Sequence, residues 1–127
     1  WVAGVCQAGV HPGSGADNAA GDRGNVPLPA GTGGGAFRQV VGDVVVPALR
    51  SHNPRMIFIS AGFVAQYEDD MGSLGLLEAD YMWATKQIKD VAEDCGHKRI
   101  VSILEGGYSL SSLARSVVAH IKTLADL

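Results

Sequence analysis

Tyr108 is the residue best placed to do chemistry. It closes the run Arg99-Ile100-Val101-Ser102-Ile103-Leu104-Glu105-Gly106-Gly107-Tyr108, a short apolar stretch that stops at a carboxylate and two glycines. A phenol held beyond a Gly-Gly turn can aim its hydroxyl into a cleft and donate to a developing oxyanion; the plainer role is packing at the mouth of a sheet. Glu105 has the chemistry of a general base, but at the end of a buried strand it equally suits accepting backbone hydrogen bonds, and that structural role is favoured. Asp69 and Asp70 are candidate metal ligands; adjacent acids in a loop more often form a solvated face or cap a helix. His11, His52, His97 and His120 show no HxxH, HxH or DxH spacing, and each reads as a surface or hydrogen-bonded histidine rather than a zinc ligand. Gly31-Thr32-Gly33-Gly34-Gly35 precedes a helix as phosphate-cradling loops do, yet lacks both the Lys-Ser/Thr and the GxGxxG spacing. No serine sits in a GxSxG elbow.

The elements that must position these residues alternate strand and helix. Trp1–Cys6 reads as a strand and Gln7–Gly24 as a long Gly/Asp/Pro-rich loop. Asn25–Pro29 is extended, and its prolines confine it to a sheet edge. A helix is expected over Ala36–Arg50, with Phe37, Val40, Val41, Val44 and Ala48 as its apolar stripe and a kink at Pro47. Met56–Ser60 is a continuous apolar run, the pattern of a strand covered on both faces. After a loop from Ala61 to Leu76, a helix over Leu77–Cys95 buries Leu77, Tyr81, Ala84, Ile88, Val91 and Cys95, and Gly96 stops it. The strand Arg99–Leu104 follows. The last helix takes Ser109 as N-cap and faces Leu110, Leu113, Ala114, Val117, Val118, Ile121 and Leu124 inward.

This order predicts an α/β fold: a parallel sheet with right-handed crossovers and flanking helices. The loops Ala61-Gly62-Phe63-Val64 and Glu105–Tyr108 must then open on one carboxyl edge of the sheet, where such folds keep their ligands.

The chain of 127 residues suffices for one domain with a core. A net charge of -3 without basic runs argues against nucleic-acid binding. Cys6 and Cys95 fit no disulfide framework or metal spacing. No stretch is long and apolar enough to span a bilayer and no signal peptide is apparent, so a cytoplasmic location is expected. Opening on Trp1 and an apolar segment suggests a piece of a longer protein.

Asn25-Val26-Pro27-Leu28-Pro29-Ala30-Gly31-Thr32, Ile57-Phe58-Ile59-Ser60-Ala61-Gly62-Phe63 and Leu104-Glu105-Gly106-Gly107-Tyr108, in that order, resemble the C-terminal part of the histone deacetylase family, in the style of its bacterial class II-like deacetylases and acetylpolyamine amidohydrolases. Asp69-Asp70-Met71-Gly72 and Leu113-Ala114-Arg115-Ser116-Val117 continue the likeness. The resemblance implies a single partial domain over residues 1–127, the C-terminal part of an arginase/deacetylase-like three-layer fold. It implies zinc-dependent hydrolysis of acetyl-amides, on acetyl-lysine or acetylated polyamines. It gives Tyr108 the oxyanion role, places Phe63 and Met71 along the substrate channel, and makes Gly106 and Gly107 its wall.

Two departures stand against activity. Where the family follows Ala-Gly-Phe with a zinc-ligand Asp, and often Ala-His, this chain has Val64-Ala65-Gln66. The family's paired histidines and Asp-x-His motif lie upstream of anything present here. The expectation is therefore a truncated or degenerate form, inactive alone, with no metal ligands and no cofactor of its own. A truncated sheet would also self-associate through its exposed edge. The alternative is a non-catalytic α/β module binding a small acyl-lysine-like ligand or a phosphate.

Overall fold

A computed structural model describes the backbone of residues 2–7 and 23 and all atoms of residues 24–127. The turn motifs expected between Gln7 and Gly24, His11 among them, fall almost wholly outside the described residues. Strand β1 (Val2–Gln7) pairs in parallel with β2 (Arg23–Leu28). After a turn come α1 (Gly34–Val40), a π-helical turn (Val41–Val45) and α2 (Val46–His52). Then follow β3 (Ile57–Gly62), α3 (Glu78–Asp94), β4 (Ile100–Gly106) and α4 (Leu110–Leu124). β3 and β4 are parallel, with Ile57 opposite Ile100 and Ala61 opposite Leu104, and the register shifts between Ala61 and Gly62.

The α/β class with parallel pairing and flanking helices is as expected; among the described residues the strands form two pairs, β1 with β2 and β3 with β4. β2 carries Pro27, which has no N–H to donate, so it suits an edge and not the interior of a ladder.

The π-helical turn is what the sequence makes of Pro47. A proline inside a helix clashes one turn back, and a wider turn immediately before it relieves the clash. It also rotates the faces: Val41 enters the core as expected, but Val44 points to solvent and Val46 is buried in its stead. There Val41 and Val46 meet Ile57, Val91 and Ala92. Asn53, in the left-handed region at φ 50°, ends α2 with its N–H on the Arg50 carbonyl.

β3 departs from its expected cover. Ile57 and Ile59 pack against the helices, but the alternate Phe58 is 68% exposed. Its cross-strand neighbour Val101 and the nearby Ile103 are exposed with it. The two-face apolar pattern is real, yet within the described chain one face carries the helices and the other is bare.

α4 is turned relative to its apolar stripe. Ser112, Ser116 and His120, four residues apart, are buried, whereas Leu110, Ala114, Val118 and Ile121 face solvent. Small hydroxyl side chains let the helix axis approach closely, and His120 finds partners in the interior. α3 likewise buries Thr85 and Ala92 beside Val91; Leu77 lies outside the helix and is exposed.

Candidate active site

The two carboxyl-end loops do meet. The Phe63 N–H donates to the Gly106 carbonyl at 2.9 Å, so β3 and β4 remain joined one residue past the end of β3. A Cβ on Gly107 would lie 3.1 Å from the Phe63 Cβ and 2.7 Å from a Leu113 methyl, and its φ of 126° suits glycine alone. A Cβ on Gly106 would stand 3.2 Å from a Val64 methyl and 3.9 Å from the Tyr108 hydroxyl. The phenol hydroxyl and a Val64 methyl thus both lie beside Gly106, while Tyr108 as a whole stays 62% exposed at the lip.

Phe63 lies beneath this lip. It is 3% exposed, its ring packed on Tyr81 at 5.0 Å and edge-on to His120 at 6.0 Å between centroids. Met71 is exposed on the rim. The Tyr81 hydroxyl is buried without a hydrogen-bond partner among the described residues, and burial raises its pKa, with Asp69, Asp80 and Glu78 adding to the effect.

What fixes the Tyr108 loop is Asp69. Its carboxylate, 5% exposed, accepts the N–H of Tyr108 at 2.6 Å, of Ser109 at 3.3 Å and of Met71 at 3.0 Å. The Tyr108 amide above all holds its pKa below the ordinary 3.8, against the opposing cost of burial; the Met71 and Ser109 amides add to the lowering. The expected side-chain cap from Ser109 is absent. The Asp69 carboxylate, from 40 residues upstream, fixes instead the two residues that lead into α4, Tyr108 and Ser109, through their own N–H groups. Glu105, the residue favoured from sequence for holding this turn, is exposed and has no side-chain hydrogen bond among the described residues. Asp69 was read from sequence as a solvated or capping acid; its partners lie too far along the chain for local spacing to reveal them.

The loop carrying Asp69 is itself stitched down. Tyr67 N–H meets the Leu76 carbonyl and Leu76 N–H the Ala65 carbonyl. Arg115 of α4 ties Glu68 and Glu78 together, and its guanidinium holds the Glu78 carboxyl below its usual range.

The described side chains at this lip do not make up a donor set for a zinc ion. The Val64 side chain has no lone pair. Gln66 is buried with its amide oxygen accepting the Glu68 N–H at 2.6 Å. Both Asp69 oxygens are committed to backbone. Among the described residues no three His, Cys, Asp or Glu side chains converge.

The phosphate reading of the glycine run fails on an occupied position. The Asp80 carboxylate lies so close to Gly34 that a Cβ there would overlap it. Asp80 is held by Arg38 at 2.7 Å and by the Leu77 N–H at 2.8 Å. The start of α1 therefore already faces a buried anion of the chain itself.

Fold and lip together define a class: an α/β protein whose parallel strands end in a Gly-Gly-Tyr loop clamped by a buried aspartate. The chain belongs to the histone deacetylase family, since the family model for the histone deacetylase domain matches residues 7–124. It is 40% identical over 105 residues to type-2 histone deacetylase 2 of Dictyostelium discoideum, covering 80% of this chain and 6% of that one. It is 36% identical over 119 residues to a histone deacetylase-like amidohydrolase of Pseudomonas aeruginosa, covering 90% of this chain and 31% of the relative. The crystal structure of the HDA15 HD domain superposes with a TM-score of 0.81 at 32% identity, over 98% of this chain and 37% of that one. The chain thus spans well under half the length of these relatives.

Proposed function

We propose that this chain is the C-terminal portion of a deacetylase-type domain, that Tyr108 is its oxyanion donor, and that the chain does not hydrolyse acetyl-amides by itself. The observation that supports this is that the Tyr108 hydroxyl and a Val64 methyl both lie beside Gly106; by the sequence resemblance, Val64 is a hydrocarbon side chain where a zinc-ligand aspartate is expected. The phenol can donate a hydrogen bond to the carbonyl oxygen of an acetylated lysine or polyamine. Gly106 keeps the backbone free of a side chain beside the phenol, Gly107 lets the turn pack onto Phe63 and Leu113, Met71 borders the entry, and Phe63 supports the floor. With no donor set for a metal and no histidine beside the phenol among the described residues, such a site is proposed to bind an acyl group without turning it over.

Titration of the chain with an N-acetyl-lysine amide, followed by NMR, tests the binding half of this reading. Shifts confined to Gly106–Ser109 and Met71 are expected, weakened about tenfold in Tyr108→Phe, the loss of roughly one hydrogen bond. Equal binding by both proteins would remove Tyr108 from the site.

The bare face around Phe58, Val101 and Ile103, with the unpaired edges of a two-stranded sheet, supports self-association as a second property of the isolated chain. Sedimentation should show mass rising with concentration, and Phe58→Glu should suppress it. A strictly monomeric chain at every concentration would contradict the proposal.

A further inference from the structure

Beneath the lip lies a buried polar chain that the proposed function leaves unused. His120 of α4 is 7% exposed. Its Nδ1 is 2.7 Å from the Thr85 hydroxyl of α3, and its Nε2 is 2.8 Å from the Ser102 hydroxyl of β4. The direction of each bond follows from counting protons. Thr85 donates its single hydroxyl proton to the Tyr81 carbonyl at 2.6 Å, so toward His120 it can only accept. Nδ1 must carry the imidazole proton, and Nε2 must accept from Ser102. The arrangement is complete only for a neutral ring in the Nδ1–H tautomer.

The surroundings offer a cation nothing. On α3, Lys89 is engaged with the Thr123 carbonyl and Asp126, Lys86 with Asp90, Asp80 with Arg38, and Glu78 with Arg115. Tyr81, the titratable group of α3 that shares the Phe63 cluster, is a neutral phenol. On the segment bearing Phe63, Asp69 is held by backbone amides and Glu68 by Arg115. β4 contributes Ser102 and, beyond it, the exposed Glu105; α4 itself carries Arg115 and Lys122. No carboxylate is bonded to the ring, and burial alone depresses its pKa below 6.5.

We propose that Ser102–His120–Thr85 is an acid-sensitive latch under the Gly106–Tyr108 loop, which joins β4, α3 and α4 while His120 is neutral and loosens the loop when it takes a proton. The incoming proton goes to Nε2. Ser102 must then become the acceptor and turn its own proton away, with no other side-chain partner among the described residues. Phe63 transmits the change: it touches His120 on one side and lies against Gly107 on the other, with its N–H on the Gly106 carbonyl. The unfolded chain binds the proton more readily than the folded one, so stability falls as pH drops below 6.5. The latch does not depend on what Tyr108 binds.

The test uses the full chain between about pH 7.5 and about pH 5, the range in which histidine changes charge. The ring nitrogens of His120 are read by 15N NMR and the Gly107, Tyr108 and Ser109 amides by hydrogen exchange. Melting temperatures are compared with those of His120→Gln. Expected are an Nδ1–H tautomer at the upper pH and loss of loop protection as the ring protonates. The melting temperature should also fall by about 4 °C more in the wild type than in the variant, for a domain of this size. An Nε2–H tautomer, protection that survives protonation of the ring, or parallel melting curves would each overturn the latch. If His120→Gln does not fold, the tautomer and the loop amides of the wild-type chain decide the matter alone.

Discussion

Asp69→Asn should cost about 2–3 kcal/mol of folding stability and release the Tyr108 loop, the scale set by losing a buried charged acceptor. The carboxylate accepts three backbone N–H groups from two segments. An amide keeps one acceptor oxygen and turns an NH2 group toward at least one of those donors, so the replacement is close to isosteric but electrostatically wrong. The effect should be local as well as global: hydrogen exchange at the Tyr108 and Ser109 amides should accelerate before the core opens. The acid limb of the stability curve gives an independent check. Because the folded-state pKa of Asp69 lies below its ordinary 3.8, its contribution is present above that value and is lost as pH falls through the folded pKa. Asp69→Asn should therefore remove stability at neutral pH and flatten the acid limb below pH 3.8. Unchanged stability together with unchanged loop protection would show that something else holds Tyr108 in place.

Gly72→Ala is the second large effect, at about 3 kcal/mol or more, the range for forced overlap in a packed site. A Cβ there would overlap the Val64 carbonyl oxygen and press on its side chain. Neither partner can retreat easily. Gly72 donates its N–H to the Asp69 carbonyl at 3.0 Å, and Val64 follows directly on Phe63, which is bonded to Gly106. The requirement is one of close approach, not of backbone dihedral. Urea denaturation measures it, and a loss below about 1 kcal/mol, the level of an ordinary surface change, would mean that the two turns are not so tightly apposed. Gly72 and Asp69 act on one loop, so the double variant should cost less than the sum of the singles.

Much of the scaffold was legible in the sequence because it rests on local signals. The apolar runs at Ile57–Ile59 and Ile100–Leu104, Gly96 after α3 and the Gly106-Gly107 turn are short-range features, and parallel pairing follows from their alternation with helices. The meeting of the Phe63 and Tyr108 loops is a topological consequence of that pairing. What escaped is what depends on distant partners. Asp69 looks solvated until Tyr108 is folded against it. Ser112 and Ser116 look like a polar face until close packing makes small side chains an advantage, and the inward face of α4 was misjudged for that reason. The glycine run before α1 looks open to phosphate until Asp80 is placed over Gly34. Phe58 has the pattern of a doubly covered strand residue, and nothing in the described chain covers its outer face.

We propose a deacetylase-type lip that, among the described residues, has no three side chains able to hold the metal on which that chemistry depends. Zinc titration of the purified chain by calorimetry, with Val64→Asp alongside and acetyl-lysine amide hydrolysis monitored in the same samples, tests this most directly. Neither protein should bind zinc tightly at one equivalent, since a single restored carboxylate does not make a site, and neither should release acetate. One equivalent of tightly held zinc in the wild-type chain, accompanied by turnover, would contradict it.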